Sequence, residues 1–309
     1  MLSLLTVYIW LLTCAPGERL YEHYGHTAIR VLDTERNLDL CFNYGTFSFN
    51  TDNFYYKFVR GETYYMLDVE PTEEFMYDYM EEYRPVYVQE LNLPEANRMA
   101  LYADLIRNSR PQNREYLYNF VYDNCSTRAY DMIVKHLPDS ITSSYQGFAS
   151  TSYRTAIEYY TGRGSVVNSL INMVFGSEAD KPMNSQERLF LPEELMNYLE
   201  HAVYSDGMPV VLGSGAGTFE VYSPPFWEKT WFYLLLFALV ALAVSLYDRC
   251  RGKLSLWFDI TVATVYLLLL AVVVFIVFFS IHPLVGLNWR LIVIPLIHLC
   301  ARLVYIVRF

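Results

Sequence analysis

The chain has little positive charge. Its 23 lysine and arginine residues are outnumbered by 33 aspartate and glutamate residues, which gives a net charge of -10 at neutral pH. Proteins that bind nucleic acid neutralise phosphates with basic side chains, so we expect no nucleic-acid partner. The sequence also contains no internal repeat and no low-complexity tract, which excludes a repeat architecture.

Cysteine is sparse as well. The five cysteines form no Cys-x-x-Cys pair and no cluster with histidine, so their spacing predicts no zinc site and we expect no cofactor. Cys14 and Cys41 both lie in strand-like stretches, which leaves a disulfide and two buried thiols equally open. Cys250 and Cys300 fall at or within apolar segments, and we expect them to be inert.

Charge is missing altogether from two long stretches, Thr230–Tyr247 and Ile260–Ile281. As a helix the second would reach roughly 33 Å, enough to cross the hydrocarbon core of a bilayer. Trp227 and Trp231 lie at the entry of the first stretch as interfacial anchors. A weaker third span is predicted at about 287–307.

The connection between the first two spans sets the orientation. Residues 248–253 include three basic side chains, and the positive-inside rule places such a loop in the cytoplasm. We therefore predict a periplasmic domain over residues 1–225 and a multi-pass region over residues 226–309 in a bacterial inner membrane.

A recognisable export signal is also missing. Met1–Leu12 is apolar but has no basic n-region and no small-residue cleavage site. Thr6–Cys14 also has the pattern of a buried strand. The sequence thus predicts that the recorded start lies inside or after the true signal, and it leaves open whether further spans follow Phe309.

The first 225 residues combine strand and helix patterns. Alternating apolar residues and turn signals predict strands at 7–13, 26–32, 38–47, 62–69, 86–91 and 116–122. Helical spacing predicts helices at 71–83, 95–108, 125–137, 152–160, 164–175 and 187–204. We expect an α+β domain in which helices pack on one side of an antiparallel sheet.

Cys125 is the strongest chemical candidate. It follows Asp123 and Asn124 and precedes a helical pattern, so it should lie in the first turn of a helix. Unpaired N–H groups and the positive end of the helix dipole favour a thiolate there. The neighbouring polar residues, among them Asn124 and Arg128, suit a partly open, site-supporting environment better than a core.

His26 is the expected partner of Cys125. It begins a predicted strand after Gly25, whereas the competing His23 lies before the strand. In a tight hairpin, residues near position 44 would lie opposite His26, so either Asn43 or Tyr44 could hold the imidazole as the third member of a triad. One step of strand register decides between them. The backbone N–H of Cys125 would stabilise an oxyanion.

Several segments together resemble the Lnb-type periplasmic domain family. The Gly-His and Asp-Asn-Cys segments are the most specific, and the resemblance extends over essentially the whole chain. The segments are Leu11–Gly17, Gly25–Arg30, Phe42–Gly45, Tyr118–Arg128, Phe190–Pro192, Ser280–Pro283 and Asn288.

The resemblance implies a fold and an activity. The family is similar to lipoprotein N-acyltransferases of the Bacteroidota and to permuted papain-like enzymes such as lecithin:retinol acyltransferase, in which histidine precedes cysteine. His26 and Cys125 occur in that order. The implied acyl donor is a membrane phospholipid, and the implied acceptor is the N-terminal amine of a lipoprotein.

Two other hypotheses fit the same residues. A cysteine amidase or peptidase would use the same pair to cleave cell-wall peptide. A non-catalytic, membrane-anchored assembly module would carry Cys125 without an activated thiol.

Overall fold

The structure, a computed structural model, describes residues 7–47, 52–213 and 215–288. They form two compact units, residues 7–153 with 182–221 and residues 154–181 with 222–288. The first unit ends near the predicted boundary at 225, but residues 154–181, which we assigned to the N-terminal domain, pack with the apolar helices. The predicted third span from residue 289 onward, Cys300 and residues 1–6 lie outside the described residues.

The first unit is built on an antiparallel sheet. The strands of this unit are β1 (Val7–Cys14), β2 (His26–Asp33), β3 (Leu38–Thr46), β4 (Tyr64–Pro71), β5 (Val86–Leu91), β6 (Glu115–Leu117), β7 (Ile141–Ser143), β8 (Ala202–Tyr204) and β9 (Val211–Leu212). Seven of them pair in the order β6-β4-β3-β2-β1-β5-β9, and β7 pairs with β8 separately. The predicted α+β class is confirmed. The permuted papain-like order stays a prediction.

Nine α-helices occur in the described part of the chain. They are α1 (Phe54–Arg60), α2 (Thr72–Glu81), α3 (Glu95–Asn108), α4 (Cys125–Val134), α5 (Tyr153–Tyr160), α6 (Val166–Val174), α7 (Pro192–Glu200), α8 (Thr230–Arg251) and α9 (Leu256–Phe279). Helices α3, α4 and α7 cover one face of the sheet.

Helices cover both faces of the sheet, so the prediction of helices on one side was wrong. Phe75 of α2 packs with Leu12 and Ala28, whereas Leu11 and Ile29 belong to the core under α3, α4 and α7. Neighbouring residues on a strand point to opposite faces, and both faces of the central strands are apolar.

Other differences concern element ends. Helix α4 stops at Val134 rather than 137, and Pro138 restricts the backbone just beyond. The predicted helix at 187–204 divides into a 3-10 turn, α7 and β8, because Pro192 at the first turn of α7 starts a new helix. The strand predicted at 116–122 ends at Leu117, and α1 was not predicted.

The second unit contains the two candidate membrane spans, α8 and α9, which are long and apolar enough to cross a bilayer. Backbone hydrogen bonds join Gly176 N–H to Leu284 O at 2.9 Å and Gly286 N–H to Val174 O at 3.0 Å. Asn288 Nδ2 donates to Asn172 O at 2.6 Å. Thr230 N–H, at the start of α8, donates to Gly164 O at 2.9 Å. Residues 164–176 therefore hold the start of α8 and the segment after α9 within this unit.

Candidate active site

Asn124 fixes the start of α4. Its Oδ1 accepts hydrogen bonds from the backbone N–H groups of Ser126 and Thr127, both at 2.9 Å. This is the N-cap arrangement that satisfies otherwise unpaired donors. Its Nδ2 donates at 2.8 Å to two backbone carbonyls, those of Phe120 and Phe190. Asn124 is therefore a buried positioning residue, and Cys125 occupies the first helical position, as predicted.

His26 meets Cys125 across the fold. Burial by itself would raise the pKa of the Cys125 thiol, but the His26 charge and hydrogen bonds from His26, the Thr27 backbone and Ser126 outweigh it and lower that pKa. Burial would lower the pKa of His26, but Cys125 and a hydrogen bond to Asn43 raise it. The shifts bring the two pKa values toward each other and favour a thiolate–imidazolium pair.

Asn43, and not Tyr44, contacts the imidazole. His26 Nε2 lies 2.6 Å from Asn43 Oδ1, and the amide oxygen can only accept, so Nε2 carries a proton and Nδ1 is left for the sulfur. Asn43 Nδ2 donates in turn to Glu70 Oε1 at 3.2 Å. Tyr44 points into the core, where its ring packs edge-on against Tyr116.

Gly45 makes room for the pair. The pairing of β3 with β4 shifts register between Tyr44 and Thr46, and Gly45 adopts a φ of 93°, which favours glycine. A Cβ atom here would lie 3.4 Å from the Cys125 Cβ and 3.6 Å from the His26 Cε1. A larger side chain would occupy the space where the two groups meet.

Gly25 sets where β2 begins. Its φ is 75°, and a Cβ atom would come within 2.6 Å of the Cys14 carbonyl oxygen and 2.7 Å of the Phe219 ring. His26 follows directly and pairs with Cys14 at the end of β1. The rejected competitor His23 instead places its Nε2 3.2 Å from Glu18 O.

Arg128 has a positioning contact. Its guanidinium binds both carboxylate oxygens of Asp123, at 2.5 and 2.8 Å, and lies 3.5 Å from the centre of the Tyr116 ring. These contacts join the first turn of α4 to the loop before it. Ser126, one residue beyond the sulfur, makes a buried 2.9 Å hydrogen bond to the Thr27 hydroxyl.

The sulfur opens on a cleft of about 100 Å³. Aromatic rings form two walls. On one side Tyr65 stacks on Tyr118 at 4.0 Å and contacts Phe47 at 4.9 Å between ring centres. On the other, Phe120 contacts Tyr24 at 4.7 Å and Phe190 at 5.6 Å.

Cys14 and Cys41 are free thiols. Their strands, β1 and β3, are separated by β2, and Cys14 pairs with His26 whereas Cys41 pairs with Arg30. Two strand spacings already amount to about 10 Å, and the offset along β2 adds to this, so the two thiols are farther apart than a disulfide spans. Burial raises the pKa of Cys14 to about 12 and that of Cys41 well above its ordinary value. In the described ranges no group of three His, Cys, Asp or Glu side chains is placed to hold a metal ion.

Sequence reasoning missed Glu70 and the role of Gly45. Glu70 is paired with Cys41 across the β3–β4 ladder, which places it on the face that Asn43 uses. Only strand register reveals that relation. The sequence does show a glycine two residues after Asn43. That spacing was the signal that could have predicted close packing at position 45.

Fold and site define an α+β domain that carries a cysteine–histidine pair and is followed by membrane-spanning helices. Residues 2–158 match the model of the Lnb N-terminal periplasmic domain, and residues 225–309 match that of the Lnb transmembrane domain. The chain belongs to the Lnb family, with a periplasmic N-terminal domain and a membrane domain. Comparisons with curated proteins and with solved structures find no match.

Proposed function

We propose that this protein is a thiol acyltransferase at the periplasmic face of a bacterial inner membrane, which moves a fatty acyl chain from phospholipid to the N-terminal amine of a lipoprotein. The observation that carries the proposal is the contact between His26 and Cys125 at a helix N-terminus, beside an aromatic cleft.

In the first half-reaction the Cys125 thiolate attacks an ester carbonyl of the phospholipid. The negative charge that develops on the carbonyl oxygen is stabilised by the N–H of Cys125, since the first residues of a helix have no partner within it. The carbon–oxygen bond then breaks, the protonated His26 gives its proton to the departing alkoxide, and lysophospholipid leaves. The product is a thioester on Cys125.

In the second half-reaction the lipoprotein amine attacks the thioester. Neutral His26 accepts a proton from the amine, the carbon–sulfur bond breaks and the thiolate is restored. Asn43 keeps the imidazole in the orientation and tautomer that both halves require. The new bond is an amide, so the two half-reactions balance without a cofactor.

The cleft and the membrane helices support this substrate class. Aromatic walls suit an acyl ester better than a charged cell-wall peptide. Both proposed substrates reside in a bilayer, and a membrane-anchored enzyme meets them at a high effective concentration.

The test is acyl transfer to a diacylated lipoprotein in proteoliposomes. Mass spectrometry of the lipoprotein measures whether an acyl chain has been added. The wild-type protein should add one acyl chain, and Cys125→Ala and His26→Ala should add none. Cys250→Ala, which changes a thiol in the other unit, is the matched control and should retain activity. An active Cys125→Ala protein would disprove the proposal, and cleavage of peptidoglycan fragments without acyl transfer would identify an amidase instead.

A further inference from the structure

Helix α1 exposes most of its aromatic side chains. Phe54 is buried, but Tyr55 is 76% exposed, Tyr56 51% and Phe58 48%. Three exposed rings on seven residues form an apolar surface of the kind that marks an interaction site.

This surface is continuous with the mouth of the catalytic cleft. The Phe54 ring stacks on Phe47 at 5.6 Å, and Phe47 lines the cleft. Tyr21, which also lines the cleft, packs edge-on against Phe47 at 5.9 Å and is itself half exposed. We call the exposed aromatic residues next to this mouth the aromatic lip: Tyr21, Tyr55, Tyr56 and Phe58.

The basic side chains of α1 indicate what kind of partner this surface binds. Helix α1 contains two basic residues, Lys57 and Arg60, and no acidic one, in a chain whose net charge is -10. Glu62, just after the helix, forms a 2.6 Å salt bridge with Arg60, so Lys57 supplies the positive charge of this surface. Arg60 lies over the Tyr56 ring at 5.5 Å. Tyrosine rings with basic neighbours suit the headgroup region of an anionic bilayer, where ring and cation each find a favourable environment.

The cleft is too small to enclose a long acyl chain. About 100 Å³ is well below the roughly 300 Å³ at which pockets for drug-sized ligands begin. A long acyl chain must therefore extend past the mouth, where the lip is the adjoining apolar surface.

We propose that the aromatic lip docks into the headgroup region of a lipid bilayer, so that a phospholipid ester reaches Cys125 without its acyl chain crossing water. The bilayer is the occupant because this chain carries its own membrane helices. The delivery step rests on the proposed acyltransferase function, whereas the docking does not.

Docking is measured on full-length protein in proteoliposomes that contain anionic lipid. A bimane label is attached through Tyr55→Cys in a Cys125→Ser/Cys250→Ser/Cys300→Ser background, and Met80→Cys on α2, which is 64% exposed, is the matched control. The label at 55 should be quenched by spin-labelled lipid and protected from aqueous iodide, and the label at 80 should show the reverse. Equal quenching at both positions would overturn the docking surface. So would protection of the label at 55 that persists in detergent, because two copies of the protein would then be covering it.

A second arm tests delivery. Tyr55→Ser/Phe58→Ser should lower thioester formation from vesicle phospholipid roughly tenfold, because two apolar contacts with the bilayer are lost, and leave the reaction with a water-soluble short-chain ester unchanged. The control Tyr77→Ser/Met80→Ser should change neither. Equal loss with both donors would contradict delivery of the phospholipid through the lip. If the wild type forms no thioester from either donor, the proposed function fails, and the quenching arm still decides the surface.

Discussion

At the scale of single residues, the site depends on a chain of contacts that starts at Cys125. His26 contacts the sulfur, Asn43 accepts a hydrogen bond from His26 Nε2 at 2.6 Å, and Glu70 accepts one from Asn43 at 3.2 Å. A carboxylate at the far end makes the Asn43 oxygen a better acceptor and so favours the imidazolium. The same chain favours the thiolate.

This chain predicts how fast Cys125 is alkylated as pH changes. The pKa of Cys125 is lowered and that of Cys14 is raised to about 12, so near neutral pH Cys125 should be alkylated at least tenfold faster. His26→Ala should move the Cys125 midpoint to higher pH, because the charge that favours the thiolate is gone. Glu70→Gln should move it in the same direction by less.

Site-resolved mass spectrometry of alkylated peptides measures this profile and separates each cysteine. Glu70 is faced by acidic groups from its own strand and from α2, namely Asp68, Glu74 and Asp78, so the Glu70→Gln shift is read against Glu74→Gln as the matched control. Equal rates at Cys125 and Cys14, or a His26→Ala midpoint below that of the wild type, would show that the thiol is not activated.

At the scale of elements, α4 and the β2–β3 hairpin bring the site together. Strands β2 and β3 form the tight hairpin considered in the sequence analysis, with Asp33 paired to Leu38, and the helix begins at Cys125 as its Asn-Cys pattern predicts. Asn124 supports this start with four hydrogen bonds, two through Oδ1 and two through Nδ2.

Asn124→Ala is therefore expected to lower the free energy of unfolding of the first unit as well as the reactivity of the Cys125 thiol. Loss of the cap costs about 1 kcal/mol, and two carbonyls left without this donor, the buried Phe190 O and the partly buried Phe120 O, cost about 1–3 kcal/mol each. We expect a fall of about 3 kcal/mol or more in the free energy of unfolding of the first unit, measured by proteolysis of the full-length protein in urea. Asn113→Ala, which removes one exposed hydrogen bond to Arg107 O, should cost less than about 1 kcal/mol. Similar losses in the two variants would refute the capping role.

The sequence was informative wherever a local pattern decides the structure. Periodicity located β1 to β5, α2 and α3 within a few residues, and capping chemistry located Cys125. The choice between Asn43 and Tyr44 could not be made, because it depends on the register between β2 and β3, in which Ile29 pairs with Phe42, and a one-residue difference in the turn would exchange the two side chains. Helices on both faces were missed because α2 covers strands far from it in the chain.

At the scale of the whole molecule, an acidic periplasmic domain is joined to two apolar helices, α8 and α9. The match of both halves to the Lnb family fits this division. Membrane attachment alone does not make an enzyme. The account depends on whether the sulfur of Cys125 takes an acyl chain from lipid.

The most direct test is the intact mass of full-length protein after exposure to phospholipid with acyl chains of one defined length. The account predicts the added mass of one acyl chain, located on Cys125 by peptide mapping, removed by neutral hydroxylamine and absent from Cys125→Ala. An unmodified wild-type protein, or an adduct that persists in Cys125→Ala, would contradict it.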